Sequence, residues 1–316
     1  MKEFIISEND SGQRVDKFLQ KSVRLLPKNL MYKYLRTRRI KLNGRKCEIS
    51  TRLNTGDIMQ LYVNDEFFEE NQEHEFLSVP IDLDIVYEDD NILLINKKCG
   101  MVVHEDNENT LDTLINRIKH YLYEKREYIP ENELSFTPSL CNRLDRNTGG
   151  IVIAAKNAES LRIINQKIKD RELEKHYLCV TVGIPPKDHD TMTAYLEKNE
   201  EENKVYISER KNSRNKTIIT EYTVLQKRGR LALLDVHLIT GRTHQIRAHM
   251  AYIGCSLLGD GKYGSNKVNK EYNMKKQALY SYKLTFNFKT EAGILQYLDK
   301  KSFCVENIWF VDEFFG

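Results

Sequence analysis

Cys141-Asn142-Arg143-Leu144-Asp145-Arg146-Asn147-Thr148-Gly149-Gly150 runs straight into Ile151-Val152-Ile153-Ala154-Ala155. Five apolar residues in a row, closed by Lys156-Asn157, have the length of a strand buried on both faces rather than that of a helix. The polar residues in front of it are an odd way to enter a core strand. A carboxylate stands between two arginines, and a Gly-Gly pair lets the backbone approach something closely. Positions that break local rules mark functional sites, so Asp145 is the first candidate for chemistry. An ordinary turn in which Asp145 pairs with a neighbouring arginine fits the same residues.

Outward from that strand, Leu161, Ile164 and Ile168 predict a helix over 157–169. Ile85-Val86-Tyr87, an Asp89-Asp90-Asn91 turn and the apolar run at 92–95 predict a hairpin. Leu111, Leu114, Ile115, Ile118 and Leu122 form the apolar stripe of a helix over 110–125. Alternating patterns predict further strands at 175–183, 217–226, 231–239 and 279–288. So few helices among so many strands exclude a doubly wound sheet. The expectation is an α+β body with a mixed, mostly antiparallel sheet flanked by helices. G-x-x-x-x-G-K-[ST] does not occur, so nothing supports a P-loop nucleotide cofactor.

A second polar cluster, Thr240-Gly241-Arg242-Thr243-His244-Gln245-Ile246-Arg247-Ala248-His249-Met250, follows the strand at 231–239. Thr243 is the expected N-cap of a short helix ending near Gly254. Donor-rich side chains beside free backbone N–H groups at a helix start suit a bound anion, phosphate or carboxylate. His244 and His249 are five apart, which does not match the i, i+4 metal pair on a helix, and both are expected as hydrogen-bonded core residues.

The 316 residues carry 49 Lys+Arg against 46 Asp+Glu, a formal net charge of +3 that hides a strong asymmetry. Residues 1–64 carry +8, residues 65–110 carry −12 and residues 111–316 carry +7. A basic head, an acidic joint and a basic body suit a polyanionic partner. In the head, Val15, Phe18, Leu19 and Val23, then Leu30, Tyr34 and Leu35 after Pro27, predict two helices. An Asn43-Gly44 turn and an alternating strand at 58–63 complete a small α+β module over 1–64. Residues 65–80 read as an acidic linker unless Phe67, Phe68 and Phe76 dock, and 81–316 as the main domain. The six cysteines lie at least 38 residues apart, with no C-x-x-C, so a structural zinc site is not expected and the thiols suit a reducing cytoplasm. No apolar run approaches the roughly 18–20 residues of a membrane span. No apolar stripe is left over, so a monomer is expected.

Asn142-Arg143-Leu144-Asp145-Arg146-Asn147-Thr148-Gly149-Gly150 resembles the H-R-L-D-x-x-T-S-G motif of the RluA family of pseudouridine synthases. Three more matches lie in order: the hairpin region 84–104 ending Gly100-Met101-Val102-Val103-His104, the strand Lys175-His176-Tyr177-Leu178-Cys179-Val180, and Thr240–His249 with Gly259-Asp260-Gly261-Lys262-Tyr263-Gly264. The head, through Arg14-Val15-Asp16-Lys17-Phe18-Leu19 and Arg39-Ile40-Lys41-Leu42-Asn43-Gly44, is similar to an S4 RNA-binding domain. Three positions depart from the family pattern. Asn142 stands for its histidine, Gly149 for its serine, and Lys97-Lys98-Cys99-Gly100 where Pro-Ala is common.

The resemblance implies the pseudouridine synthase fold and conversion of uridine to pseudouridine in structured RNA, with no metal or other cofactor. Ribosomal RNA is favoured over transfer RNA. Asp145 would be the nucleophile, and a carboxylate in a water-poor site needs a neighbouring cation, which Arg247 would supply. Tyr177 would stack on the uracil, Ile246 would line the substrate site, and Arg143 would fill the place of the flipped-out base. Arg14, Lys17, Arg36, Arg38, Arg39 and Lys41 would bind phosphates from the head. Two other readings stay open at this stage: a non-catalytic RNA-binding or ribosome-assembly factor, motivated by Asn142 and Gly149, and a hydrolase using Asp145 with His244 as base.

Overall fold

The computed structural model describes residues 1–68, 74–105 and 110–316. In the head, β1 (Lys2–Ile5), α1 (Val15–Ser22), α2 (Lys28–Arg36), β2 (Ile40–Leu42), β3 (Arg45–Lys46) and β4 (Ile58–Leu61) make a four-stranded sheet ordered β1-β4-β2-β3, packed on two helices. Asn43 and Gly44, both at positive φ, form the two-residue turn between β2 and β3, the geometry that matches strand twist. Phe4, Val15, Phe18, Leu19, Met31, Leu35, Ile40 and Met59 close the core of this head. Of the expected linker, positions 69–73 lie outside the described residues. Its two ends are docked: Phe67 and Phe68 pack on the head core, and Phe76 is buried in the body.

The body is one 11-stranded sheet. Its strands are β5 (Ile85–Glu88), β6 (Ile92–Lys97), β7 (Ser139–Leu140), β8 (Gly149–Ala155), β9 (Leu173–Val182), β10 (His189–Asn199), β11 (Lys204–Ser208), β12 (Lys216–Arg228), β13 (Leu231–Leu238), β14 (Leu279–Phe286) and β15 (Ser302–Cys304). The order is β11-β10-β12-β13-β9-β14-β8-β6-β5, with β7 on β8 and β15 on β14. The pairings within this sheet are antiparallel except β8 with β14, where Gly149 and Gly150 lie beside Tyr280 and Ser281. All seven residues of β8 are buried, as its unbroken apolar run requires. This mixed, mostly antiparallel sheet is the architecture expected above.

Helices cover both faces of the sheet. α3 (Leu114–Glu124) and α5 (Gln245–Tyr252) pack on Leu93, Val152, Tyr177, Cys179, Leu234 and Val236, while α4 (Ala158–Lys169) packs on the reverse face at Ile92, Leu94, Ile151 and Ile153. The short α6 (Asn266–Glu271) and the terminal α7 (Trp309–Phe315) cover Val180, Leu231 and Leu233 on that reverse face. α3 starts later than its pattern predicts. Thr113 caps it by accepting from Asn116 N, and Leu111 is left exposed. β10 and β11 are not among the expected strands: most of their side chains are not buried, and their apolar alternation is short, confined to Met192, Ala194 and Leu196 and to Val205 and Ile207.

The head is tied to the body by more than the segment between them. Buried Asp10 accepts from Ser135 Oγ at 2.6 Å, Asn9 Nδ2 donates to Glu133 at 2.9 Å, and Arg162 donates to the Ser11 carbonyl at 2.9 Å. Asn9 Oδ1 also accepts from Ala158 N, one of the N–H groups that the start of α4 leaves without an intrahelical partner. No helix among the described residues is long and apolar enough to cross a membrane.

Candidate active site

The loop before β8 and the turn before α5 meet across the front of the sheet. Asp145 is carried on the loop that the Gly149–Gly150 seam anchors. A Cβ on Gly150, which has φ near 115°, would strike the Ser281 backbone, so the seam requires glycine there. Behind the loop, fully buried Lys97 at the end of β6 donates to the carbonyls of Lys98, Met101 and Arg146 at 2.9–3.1 Å. Gly100 N and Cys99 Sγ donate to the carbonyls of Arg146 and Asn147. The turn at 97–101 therefore grips the far side of the Asp145 loop. Burial lowers the Lys97 pKa to about 8, and the fields of Cys99 and Asp145 partly restore it.

Two departures from the family motif have structural compensations. Asn142 Oδ1 accepts from Ile153 N at 2.8 Å, so the side chain bonds the loop to β8. A Cβ on Gly149 would overlap the ring of Tyr280, whose hydroxyl donates to Asn96 at 2.6 Å. The tyrosine occupies the space that a serine at 149 would need.

Arg247, on the first turn of α5, joins two carboxylates. Its Nη1 donates to Asp145 Oδ2 at 2.8 Å, while Nε and Nη2 donate to the two oxygens of Asp260 at 2.7 and 3.0 Å. The second contact is bidentate, the geometry that fixes a guanidinium plane. Asp260 is fully buried and also accepts from Lys262 N and Tyr263 N. Burial pushes its carboxyl up, and Arg247 and the two backbone donors outweigh that, leaving it below its usual value. Burial likewise opposes the Arg247 charge, and the two carboxylates more than offset it, so its pKa is raised.

His244 precedes α5 in the left-handed region, at φ 52°, and it is the N-cap residue in place of the expected Thr243. The backbone reverses there, so Thr243 is one residue too early to cap. The expected cradle of free N–H groups is also absent at two positions: Arg242 N donates to Gln245 Oε1, and Gln245 N to the Arg242 carbonyl. The anion held at this turn is Asp145, and a side chain holds it. His249 is a core residue, with Nδ1 3.0 Å from Thr220 Oγ1 and its pKa lowered to about 4 by burial.

Asp145, Arg143, Tyr177, Ile246 and Arg247 all line one cleft of about 510 Å³, together with His244 and Lys175. Asp145 keeps 27% of its side-chain surface open to the cleft, against 9% for Arg247. Tyr177 forms part of the floor. Burial pushes its hydroxyl up to about 12, against a hydrogen bond to Ser281 that lowers it. Arg143 is exposed and has no side-chain hydrogen bond or ion pair among the described residues, and the same holds for the half-buried Lys175 ammonium. Neither Lys97 nor Lys175 was singled out by sequence reading. A lysine closing an apolar strand is the one signal for Lys97. None of Arg14, Lys17, Arg36, Arg38, Arg39 and Lys41 lines the cleft. Arg14 is paired with Asp16 at 3.0 Å, and Arg39 donates to the Tyr62 carbonyl at 3.0 Å. No cluster of three His, Cys, Asp or Glu among the described residues is placed to hold a metal.

Residues 91–252 match the family model described as RNA pseudouridylate synthase. The chain belongs to the RNA pseudouridylate synthase family. It is thus an RNA pseudouridine synthase, an isomerase that converts uridine to pseudouridine. A relative from Mycoplasma genitalium, described as an uncharacterized RNA pseudouridine synthase, is 33% identical, the match covering 90% of this chain and 88% of that one. The ribosomal large subunit pseudouridine synthase C of Buchnera aphidicola is 28% identical over 89% of this chain and 88% of its own. Among solved structures, human RNA pseudouridylate synthase domain containing 1 is similar with a TM-score of 0.57 at 20% identity, covering 77% of this chain and 89% of that chain, a likeness of fold.

Proposed function

We propose that this synthase acts on large ribosomal RNA, with Asp145 as the carboxylate that reacts with a flipped-out uridine. The observation that carries this is the clamp: Asp145 opens to the cleft while Arg247, itself held by Asp260, fixes one of its oxygens. An anion presented beside a guanidinium that cannot swing away needs no reorganisation when it attacks. The isomerisation breaks the N1–C1′ bond, joins C5 to C1′, moves one proton from C5 to N1 and involves no net redox change. No cofactor enters this reading.

Tyr177 and Ile246 form the surface against which the uracil lies. Arg143, exposed beside the cleft and without a side-chain partner among the described residues, enters the gap left by the flipped base, which costs a few kcal/mol to extrude. Lys175 offers a further cation for phosphate or a uracil oxygen. Residues 1–64 act as an S4-like RNA-binding domain, 65–80 as the joint and 81–316 as the catalytic domain. In the head, Lys17, Arg36, Arg38 and Lys41 contact phosphates, with Arg14 and Arg39 restrained by their own partners. Transfer RNA is the less favoured substrate, because the relatives in hand include large-subunit synthases. The enzyme works as a cytoplasmic monomer.

Pseudouridine mapping of ribosomal and transfer RNA from cells lacking the gene tests this. Specific ribosomal uridines are expected to lose modification and to regain it with the wild-type chain but not with Asp145→Asn. Restoration by the Asn variant would remove Asp145 from its role, and losses confined to transfer RNA would move the substrate.

A further inference from the structure

His244 lies beside the reacting carboxylate without bonding to it. Its Nε2 faces Asp145 Oδ2 at 3.8 Å, about 1 Å beyond hydrogen-bond distance, and its ring lines the cleft. Oδ2 already accepts from Arg247, so the histidine does not supply a missing bond to Asp145. The other ring nitrogen, Nδ1, is 3.0 Å from the Tyr263 hydroxyl. Val205 N donates to that same hydroxyl oxygen at 2.9 Å, so the backbone supplies the phenol with a donor and leaves its own proton in need of an acceptor. His244 Nδ1 is that acceptor. In the neutral ring the hydrogen is therefore on Nε2, and it is directed into the cleft.

Three further features fit a group held for use. A non-glycine residue at φ 52° is strained by roughly 1–3 kcal/mol, and such strain collects at working sites. Burial disfavours the imidazolium, against a smaller opposing pull from Asp145, so the ring serves as a neutral donor. Tyr263 is itself fixed, with the Arg247 guanidinium 5.3 Å from its ring centroid and its ring edge-on to His244 at 5.6 Å.

When the N1–C1′ bond breaks, its electron pair goes to the uracil, and negative charge spreads over N1 and the O2 carbonyl. When C5 has bonded to C1′, C5 loses its proton and N1 gains one, so the base ends neutral. A donor aimed at the departing ring is worth more in the transition state than in the bound uridine, because the charge exists only there. We propose that His244, locked as its Nε2–H tautomer by Tyr263, donates a hydrogen bond to the departing uracil and so stabilises its negative charge. Tyr263 is a positioning residue that acts through the histidine. The inference rests on the placement of Asp145 as the reacting group.

Leaving-group chemistry provides the test. Fluorine at C5 stabilises the uracil anion, so a 5-fluorouridine at the target position needs the donor less. Breaking of its N1–C1′ bond is read as loss of the N-linked nucleoside from nuclease digests in single turnovers at saturating RNA. His244→Leu is expected to slow uridine about 10²-fold, with the deficit on 5-fluorouridine smaller by about tenfold. His244→Gln, which can place an amide N–H near the Nε2 position, recovers much of the uridine rate, and Tyr263→Phe shows a weaker version of the Leu pattern. The ratio of the two substrates is internal to each variant and is unaffected by the fraction that folds. An equal deficit on both substrates, or no deficit, overturns the proposal. Asp145→Asn run in parallel separates the premises: activity there removes Asp145 from its role, whereas an unchanged ratio in His244→Leu removes only the donor.

Discussion

The head and the body both carry cations, and they hold them in opposite ways. In the body, Arg247 is nearly buried, and its guanidinium bonds to Asp145 and Asp260 together. In the head, Lys17, Arg36 and Arg38 are exposed and make no side-chain hydrogen bond or ion pair among the described residues. A clamped charge contributes geometry to one chemical step. Loose charges contribute counterion release, which is indifferent to geometry and depends on salt.

Breaking the clamp without removing the charge is the strongest challenge to this contrast. Arg247→Lys keeps a cation but cannot form the bidentate contact, and is expected to lower the single-turnover rate roughly 10²–10³-fold. RNA affinity, measured by filter binding, should change little. A variant whose affinity fell while its rate held would erase the distinction between the two kinds of cation.

Acid should act on the body, since all eight histidines lie beyond the head. His249 is buried with a folded pKa near 4, below its unfolded value of about 6.5. Between those values the unfolded chain takes up a proton that the folded chain refuses. Stability is thus intact above about pH 6.5 and falls as pH drops toward 4, by about 3 kcal/mol. Urea unfolding at pH 7 and pH 4.5 should show a smaller difference in His249→Gln than in the wild type. An undiminished difference would assign the acid limb to other groups.

Restoring the family's serine should harm this chain. Gly149→Ser drives a side chain into the Tyr280 ring and is expected to cost about 1–3 kcal/mol. Adding Tyr280→Leu should recover part of that loss in the urea midpoint. If the serine is tolerated with Tyr280 in place, the two positions do not compensate each other.

The smallest effect belongs to the head. Changing Lys17, Arg36 and Arg38 together to Ala should reduce the slope of log affinity against log salt by about one per cation. The loss is expected to be recovered at saturating RNA, which a salt titration with rate measurements at each end would check. A rate deficit persisting at saturation would show that head cations also set geometry.

Residues that speak through their neighbours in sequence were legible. The apolar run at 151–155 announced a buried strand, the stripe around Leu114 and Ile118 a helix, and Asn43-Gly44 a tight turn. What remained hidden depends on partners far along the chain. Gly149 looked like a lapse from the motif until Tyr280 was found in the space. The clamp at Asp260 arises because the loop after α5 folds back on Arg247, and no periodicity encodes that. Thr243 was misread as a cap because the chain turns left-handed one residue later, which sequence patterns for helix starts do not anticipate at a histidine.

The single parallel pairing, β8 with β14, joins residues about 130 positions apart. A chain made from its amino terminus has Asp145 outside the ribosome before the strand that seats Gly149 and Gly150 has been synthesised. Long-range pairings of this kind close late, after their loop entropy is met. The nascent chain therefore lacks the seam beside the Asp145 loop until β14 is available, and a chain stalled before about residue 280 would carry every residue of the Asp145–Arg247–Asp260 clamp without it. That seam can close only late in the making of each molecule.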